Sequence, residues 1–422
     1  MDILILFLTM LVLANYRVKR SILYPPFAFC AMWLLDVLIY RFRLVEVDSL
    51  HAKTLYIVAA GALLFSLGGR FALLVPTSII AIRFTFVGHP KTVGKWLKPL
   101  IVIALTVCVG LAIREMVSLA AGAPGMNLLF FAVARNEIVE NLNQGRGSNT
   151  LYTFVWGWTI IVAALFLSEY KDRYFWMAAV LAFAGCVLSG ARGGFLFLFS
   201  ALTSIYLIKA RREGFLDALR VVRWPLFGFL FLFMGMLFID KSVDSGSKSA
   251  IEFAGKHLVE YIIGPTAALD YVLQHPQDYA NLPHHTFRLF LRITSTSGLM
   301  SYHPPPALDA FIFVPFGTNV YTVYKFFITD FGVNAAVIIL GILGFLHTLL
   351  FRKAHSQSVL GVFLFSLTMF PVLMVIFDDQ YSQFGLYIEA VVFAVSYFTI
   401  KSFPWKVFRS RATNGYGLRQ EV

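Results

Sequence analysis

The stretch GVNAAVIILGILGFLHTLLF, residues 332–351, runs for twenty residues without one charged side chain. As an α-helix it would extend about 30 Å, the thickness of the hydrocarbon core of a bilayer. The composition agrees, because 59% of the 422 residues are hydrophobic and only 14% are charged. The sequence therefore predicts an all-α polytopic membrane protein.

Similar apolar runs recur along the chain and predict about eleven transmembrane helices. They lie near residues 2–16, 22–40, 53–69, 98–117, 151–169, 174–189, 193–208, 224–239, 332–351, 357–377 and 386–401. The stretch 71–87 is either a helix at the membrane surface or a twelfth crossing. A twelfth crossing would reverse the topology of one part of the chain.

Basic residues predict the orientation, since Lys and Arg are retained in cytoplasmic loops during insertion. Placing Arg17, Lys19 and Arg20 inside puts most other basic clusters on the same side by alternation. The N-terminus then faces outward and the tail, 402–422, faces the cytosol. The net charge of +12 follows from this topology and does not indicate a nucleic-acid partner.

The chain divides into four predicted regions. Residues 1–239 hold the first eight helices and a shorter external segment at 116–150, and 319–401 hold the last three. Between them, 240–318 form a large external loop with five of the nine histidines. Within this loop, 251–262 have the periodicity of an amphipathic helix lying over the membrane part. Gly264-Pro265 predicts a break there, followed by a short helix at 267–274.

Several chemistries have no support in the sequence. Cys30, Cys108 and Cys186 each fall in an apolar run, so no external disulfide framework is predicted. The chain has no phosphate-binding glycine loop of the Walker type and no HExxH motif. No carboxylate stands at a convincing metal-ligand spacing from the loop histidines. We therefore predict neither a cofactor nor a metal.

External arginines are the first candidates for ligand binding, because guanidinium groups suit phosphate and pyrophosphate oxygens. Arg192 lies in SGARGG, residues 189–194, which is the whole connection between two predicted spans. Alternatively, Arg192 only lies in a tight turn and extends its side chain along the apolar surface to place its charge in water. Arg135 and Arg146 belong to the segment 116–150, where lipid headgroup or solvent contacts are the competing interpretation.

The long loop adds two arginines and two histidines. Arg288 and Arg292 are four residues apart, so on a helix both would point the same way and could hold an anion; salt bridges to Asp278 or Glu260 are the alternative. The adjacent residues His284 and His285 could act as a general base, bond backbone carbonyls or cap a helix.

After the loop, aromatic and polar residues alternate up to the next span. Asn319, Tyr321 and Tyr324 precede Asp330 at the mouth of that span. Such surfaces are typical of carbohydrate binding, although tyrosines near headgroups also form interfacial belts. Asp330 is a second candidate for a base.

The order of these features resembles the Wzy-type repeat-unit polymerases that assemble O-antigen and exopolysaccharide in bacterial envelopes. The resemblance covers about residues 130–350 and lies in many spans, one large late external loop and five short motifs. These motifs are the 189–194 turn, the 261–273 stretch with Gly264-Pro265, Thr286-Phe287, Asn319-Val320-Tyr321-Thr322 and Asp330-Phe331-Gly332.

The resemblance implies a metal-independent glycosyltransferase with a GT-C-like membrane architecture in the bacterial inner membrane, its large loop periplasmic. Such an enzyme moves a growing glycan from undecaprenyl pyrophosphate to the non-reducing end of a new lipid-linked repeat unit. Its partners would be these lipid-linked oligosaccharides, with a chain-length regulator and a flippase nearby. Fixed cations would stabilise the leaving pyrophosphate, and a base would activate the acceptor hydroxyl.

Two alternatives remain open. An O-antigen ligase would use the same donor and pass the glycan to lipid A core. A flippase or anion transporter would also be polytopic and basic, but it usually shows internal repeats or broken helices at the membrane midplane.

Overall fold

The computed structural model describes residues 1–76, 97–119, 192–220, 250–276, 285–299, 311–356 and 359–381, with scattered positions at 173–174, 177–178, 180–181, 184, 222–223, 226–227, 301 and 391. Apart from one small hairpin, the regular structure in these residues is helical. The helices are α1 (Asp2–Lys19), α2 (Pro25–Phe42), α3 (Ala52–Leu74), α4 (Leu97–Leu119), α5 (Arg192–Ala210), α6 (Ala250–Gln274), α7 (Arg288–Thr296), α8 (Tyr324–Phe331), α9 (Val333–His355) and α10 (Val359–Leu373). Strands β1 (Ile312–Phe313) and β2 (Gly317–Thr318) pair antiparallel.

Three helices are long and apolar enough to cross a membrane, namely α2, α3 and α9. Shorter apolar helices cover 102–111, 196–210 and 360–373. These features are those of a helical membrane protein. The eleven crossings stay a prediction, because the span near 151–169 lies outside the described residues and those near 174–189, 224–239 and 386–401 are described only at scattered positions.

Helices α3 and α9 pack closely because glycines remove the side chains between them. A Cβ at Gly68 would overlap the carbonyl oxygen of Gly341, and one at Gly344 would overlap that of Phe65. Close contact through small residues is how helices associate in lipid, where apolar burial gives no advantage. The α3–α9 pair therefore forms the centre of the described bundle.

A polar contact joins the first three helices inside the bundle. The Asn15 amide of α1 donates to Ser66 Oγ of α3 at 2.9 Å and to the carbonyl of Pro26 in α2 at 3.3 Å. All of the Asn15 side chain is buried. Inter-helix hydrogen bonds of this kind contribute about 0.6 kcal/mol on average in membrane proteins, and they fix which helix faces meet.

The loops collect at two ends of the bundle. At one, here called the basic end, Glu213 accepts a hydrogen bond from the Ser21 hydroxyl at 2.6 Å and contacts His355 Nε2 at 3.0 Å. Arg352 Nη1 donates to the carbonyl oxygens of Ala72 and Val75 at 2.5 and 2.7 Å. The predicted topology places all of these segments, 17–24, 70–76, 209–215 and 352–356, on the cytoplasmic side.

The opposite end, here called the loop end, holds residues 43–51, 270–276, 285–299 and 311–322. There the Arg41 guanidinium lies 2.8 Å from the Asp2 carboxylate. Which end faces the cytosol stays a prediction from the basic residues.

One predicted break is absent, and its prediction was wrong. Helix α6 continues through Gly264-Pro265 to Gln274, where the sequence predicted two helices. A proline inside a helix costs about 3 kcal/mol. Dense packing offsets this cost, because Ile263, Ala268 and Leu269 are almost fully buried next to it.

A second difference concerns the stretch 71–87. Its first residues continue α3, which ends at Leu74, two residues before Pro76. Residues 71–74 therefore belong to α3, and the helix ends before the proline, as the residue ahead of a proline disfavours helical backbone. Residues 77–87 lie outside the described part of the chain.

Candidate functional site at the loop end

The site is built around α8, a short helix that begins inside the bundle. The Tyr324 hydroxyl donates to the carbonyl of Ile57 at 3.2 Å, and its ring lies 5.5 Å from that of Trp33. The same hydroxyl occupies the space that a side chain at Gly61 would need. Gly61 is nine residues below the start of α3, a depth of about 14 Å. Helix α8 then returns to the loop end, where α9 begins.

The end of α10 lies beside the start of α8. Helix α10 ends at Leu373, and residues 378–380 have no regular structure. The Val323 N–H donates to the carbonyl of Val375 at 3.0 Å. The Tyr381 hydroxyl reaches His347 Nε2 of α9 at 2.8 Å. Non-helical backbone at this depth is tolerated only when protein buries it or when it lines a hydrated cavity.

Asp330, near the end of α8, holds the chain that leads into α7. Its carboxylate accepts hydrogen bonds from the backbone N–H of His285 at 3.1 Å and of Thr286 at 2.8 Å. The sequence singled out Asp330 and His285 separately, and the structure brings them together. The contact uses the His285 backbone, so it makes Asp330 a positioning residue for the start of α7.

The His285 ring packs against α8 one turn below Asp330. It stacks on Phe326 with ring centroids 4.1 Å apart, and only 4% of the residue is exposed. The Lys325 ammonium lies 5.0 Å from the centroid of the same Phe326 ring. A candidate base and a buried cation therefore contact one aromatic side chain.

Lys325 is the residue of this site that the sequence analysis missed. It is 2% exposed, and its Nζ lies 3.5 Å from the centroid of the Tyr321 ring. Cation–π contacts contribute about 2 kcal/mol when they are desolvated. Tyr321 lies outside α8, so helical periodicity does not relate the two residues, and the sequence offers only a lysine four positions after the predicted glycan-binding tyrosine.

The three residues predicted to bind glycan differ in how deeply they are buried. Tyr321 is 2% exposed and packs with Ala268 and Val272 of α6, whereas Asn319 is half-buried. Tyr324 is fully buried among α2, α3 and α9. We leave Tyr324 out of the site because its hydroxyl already bonds the backbone of α3.

The arginine predictions are described only in part. Arg288 and Arg292 belong to α7, one helical turn apart, and Arg192 is the first residue of α5. Their side chains, and all of Arg135, Arg146 and His284, lie outside the described residues. Their roles as pyrophosphate ligands or base stay predictions.

A second polar cluster connects α6 to the start of α3. The Asp270 carboxylate accepts from the backbone N–H of His51 at 2.9 Å and from the hydroxyl of Thr54. His51 Nδ1 and the Gln274 amide also contact it, at 2.8 and 2.6 Å. A carboxylate at a helix N-terminus satisfies free N–H groups and complements the helix dipole. The cluster therefore fixes α6 on the membrane helices.

A deeper contact supports the same docking. The Thr266 hydroxyl of α6 donates to the Asp36 carboxylate of α2 at 2.8 Å, and both residues are fully buried. Asp36 lies within the predicted span at residues 22–40. Its partner lies 230 residues away, so no local pattern could indicate it.

Within the described residues, no group of three or more His, Cys, Asp or Glu side chains could hold a metal ion. Comparison with protein-family models, curated proteins and solved structures finds no match for this chain. The function is therefore argued from the residues and their geometry.

Proposed function

We propose that the protein is a membrane glycosyltransferase of the repeat-unit polymerase type. One observation carries the proposal: Asp330 fixes His285 and the start of α7 on α8, at the loop end of the membrane bundle. A candidate base and the two arginine positions of α7 thus lie next to each other, where a lipid-linked donor would meet the membrane surface. The loop end faces the periplasm in this proposal.

The reaction needs a leaving group that is already attached to the glycan, because nucleotide sugars are absent outside the cytoplasm. The bond between the anomeric carbon and a pyrophosphate oxygen breaks, and the acceptor hydroxyl oxygen forms the new bond to that carbon. The base takes the hydroxyl proton, and the lipid pyrophosphate leaves with its negative charge. Arg288, Arg292, Arg192, Arg135 and Arg146 are the proposed cations for that charge.

The base is His285 or its neighbour His284 in this proposal. Asp330 has a positioning role, since its carboxylate already accepts two backbone hydrogen bonds. Asn319 is the proposed glycan contact beside α8, and Tyr321, buried under Lys325, is proposed to support that surface from within. Neither a cofactor nor a metal takes part.

The O-antigen ligase alternative would use the same site, and only the acceptor separates it from a polymerase. The transporter alternative is favoured by a specific observation. Helix α8 starts inside the bundle beside the end of α10, and helix ends near the membrane midplane are typical of transporter sites.

The deciding experiment uses the purified full-length protein in phospholipid vesicles with an undecaprenyl-pyrophosphate-linked repeat unit. We expect a ladder of longer lipid-linked glycans, formed equally well with a divalent-cation chelator present. Transfer only to added lipid A core would identify a ligase. Movement of the lipid-linked unit across the vesicle membrane without a longer product would identify a transporter.

A further inference from the structure

We propose that α7 is an interfacial helix whose apolar face contacts the phospholipid acyl chains of the loop-end leaflet. This inference does not depend on the enzymatic proposal, because a ligase or transporter could carry the same element. It assigns a partner, a lipid surface, to a helix that would otherwise expose large apolar side chains to water.

The apolar side chains on one face of α7 are exposed. The exposed fractions of Phe287, Phe290 and Ile293 are 58%, 65% and 59%, and Leu299 just after the helix is 79% exposed. Residues three apart on a helix are neighbours on one side. An exposed aromatic and aliphatic patch of this kind in a folded protein marks an interaction surface.

The position of α7 identifies that surface as lipid. The Phe287 ring lies 5.8 Å from the ring of Phe331, two residues before the membrane-crossing helix α9 begins. The bonds from Asp330 to His285 and Thr286 fix the start of α7 at the same level. The first apolar residues of a span mark the edge of the hydrocarbon layer. Phe287 therefore lies at this edge.

Two further features favour lipid over a protein partner. Phe331 is itself exposed, and further along α9 the side chains of Ile338, Ile342 and Leu346 are exposed at four-residue spacing, as on a helix that faces lipid. The α7 sequence RLFLRITST contains two arginines and no acidic residue, which complements the phosphates of anionic lipids. An apolar face combined with basic residues is the pattern of helices that lie in the interface plane.

The test places a spin label on α7 in the full-length chain. Phe290→Cys and, separately, Ile293→Cys are made after Cys30, Cys108 and Cys186 are changed to Ser. Each is reconstituted in vesicles of phosphatidylcholine and phosphatidylglycerol. Collision with oxygen, which concentrates in acyl chains, is compared with collision with a water-soluble nickel chelate. Ser49→Cys is the matched control, because Ser49 is an exposed polar residue of the loop end.

We expect oxygen collisions to exceed nickel collisions several-fold at residues 290 and 293, and the reverse at residue 49. Nickel accessibility at 290 equal to that at 49 would place α7 in water and overturn the proposal. Protection of 290 from both reagents would show that protein covers the face and would overturn it as well. Phe290→Trp in the unmodified chain is a second measurement, with quenching of the added fluorescence by brominated lipids expected.

Discussion

At the scale of single residues, carboxylates decide how the loop end is assembled. Asp330 accepts two backbone N–H groups from a segment 45 residues away, and Asp270 accepts the His51 N–H at the start of α3 together with side-chain contacts. Each carboxylate therefore accepts a hydrogen bond from the main chain of a distant segment. From the sequence, Asp330 is a candidate for the catalytic base. Its hydrogen bonds to the backbone make it a positioning residue instead.

Replacing Asp330 separates positioning from base chemistry. Asp330→Ala leaves two backbone donors without an acceptor, at a cost of about 1–3 kcal/mol each, so we expect faster hydrogen exchange in residues 285–296 and loss of the glycan ladder. Asp330→Asn keeps one acceptor oxygen and should retain most activity. Asp217→Ala, at an exposed residue of the basic end, is the control. An Asn variant as inactive as the Ala variant would assign the carboxylate to the chemistry.

Asp270 offers a test of stability alone. Asp270→Ala removes the acceptor for the His51 N–H and for the Thr54 and Gln274 side chains. We expect a loss of about 3 kcal/mol in unfolding free energy, measured by denaturation in detergent. Asp217→Ala should change it by less than about 0.5 kcal/mol, as an exposed substitution does. Equal effects of both variants would contradict the docking role of Asp270.

At the scale of elements, a closely packed helix pair lies near a region of irregular backbone. The α3–α9 pair depends on glycines, whereas α8 and the end of α10 leave regular structure near the same depth. The closely packed helices α3 and α9 can hold the irregular backbone between α8 and α10 in place, which is a suitable scaffold for a site.

The glycine contact between α3 and α9 predicts a large mutational effect. Gly344→Val would force its side chain into the backbone of Phe65, so we expect destabilisation of at least about 1–3 kcal/mol, as for other overpacked sites. Gly110→Ala in α4 is the matched control, because nothing lies within 4 Å of its added Cβ. It should be neutral or stabilising by up to about 1 kcal/mol. Thermal unfolding in detergent compares the two, and equal melting temperatures would contradict the packing argument.

At the scale of the whole molecule, the two opposite ends of the bundle carry different kinds of residues and segments. The basic end collects Arg352, Lys353, Arg211 and Arg212, and the loop end collects α6, α7 and the hairpin. This division is what the cytoplasmic retention of basic loops would produce.

The topology can be tested directly. Cysteines introduced at Ser245 and Arg419 should react with an impermeant reagent from opposite sides of intact vesicles, because an odd number of crossings separates them. Ser245 should react from the periplasmic side. Labelling of both from one side would show that the crossing count is wrong, and the periplasmic assignment of the loop would then fail with it.

The helical membrane class could be predicted from the sequence, because an apolar run of bilayer length is a local property that needs no knowledge of the fold. The helices of 332–351 and 53–69 follow from such runs. The contacts at the site could not be predicted, because Asp270 meets His51 across 219 residues and Asp330 meets His285 across 45. Only the packing of α6 through Pro265, the inward start of α8 and the glycine contacts of α3 bring these groups together. Contacts between distant residues depend on how whole helices fit against each other, and short sequence motifs do not contain that information.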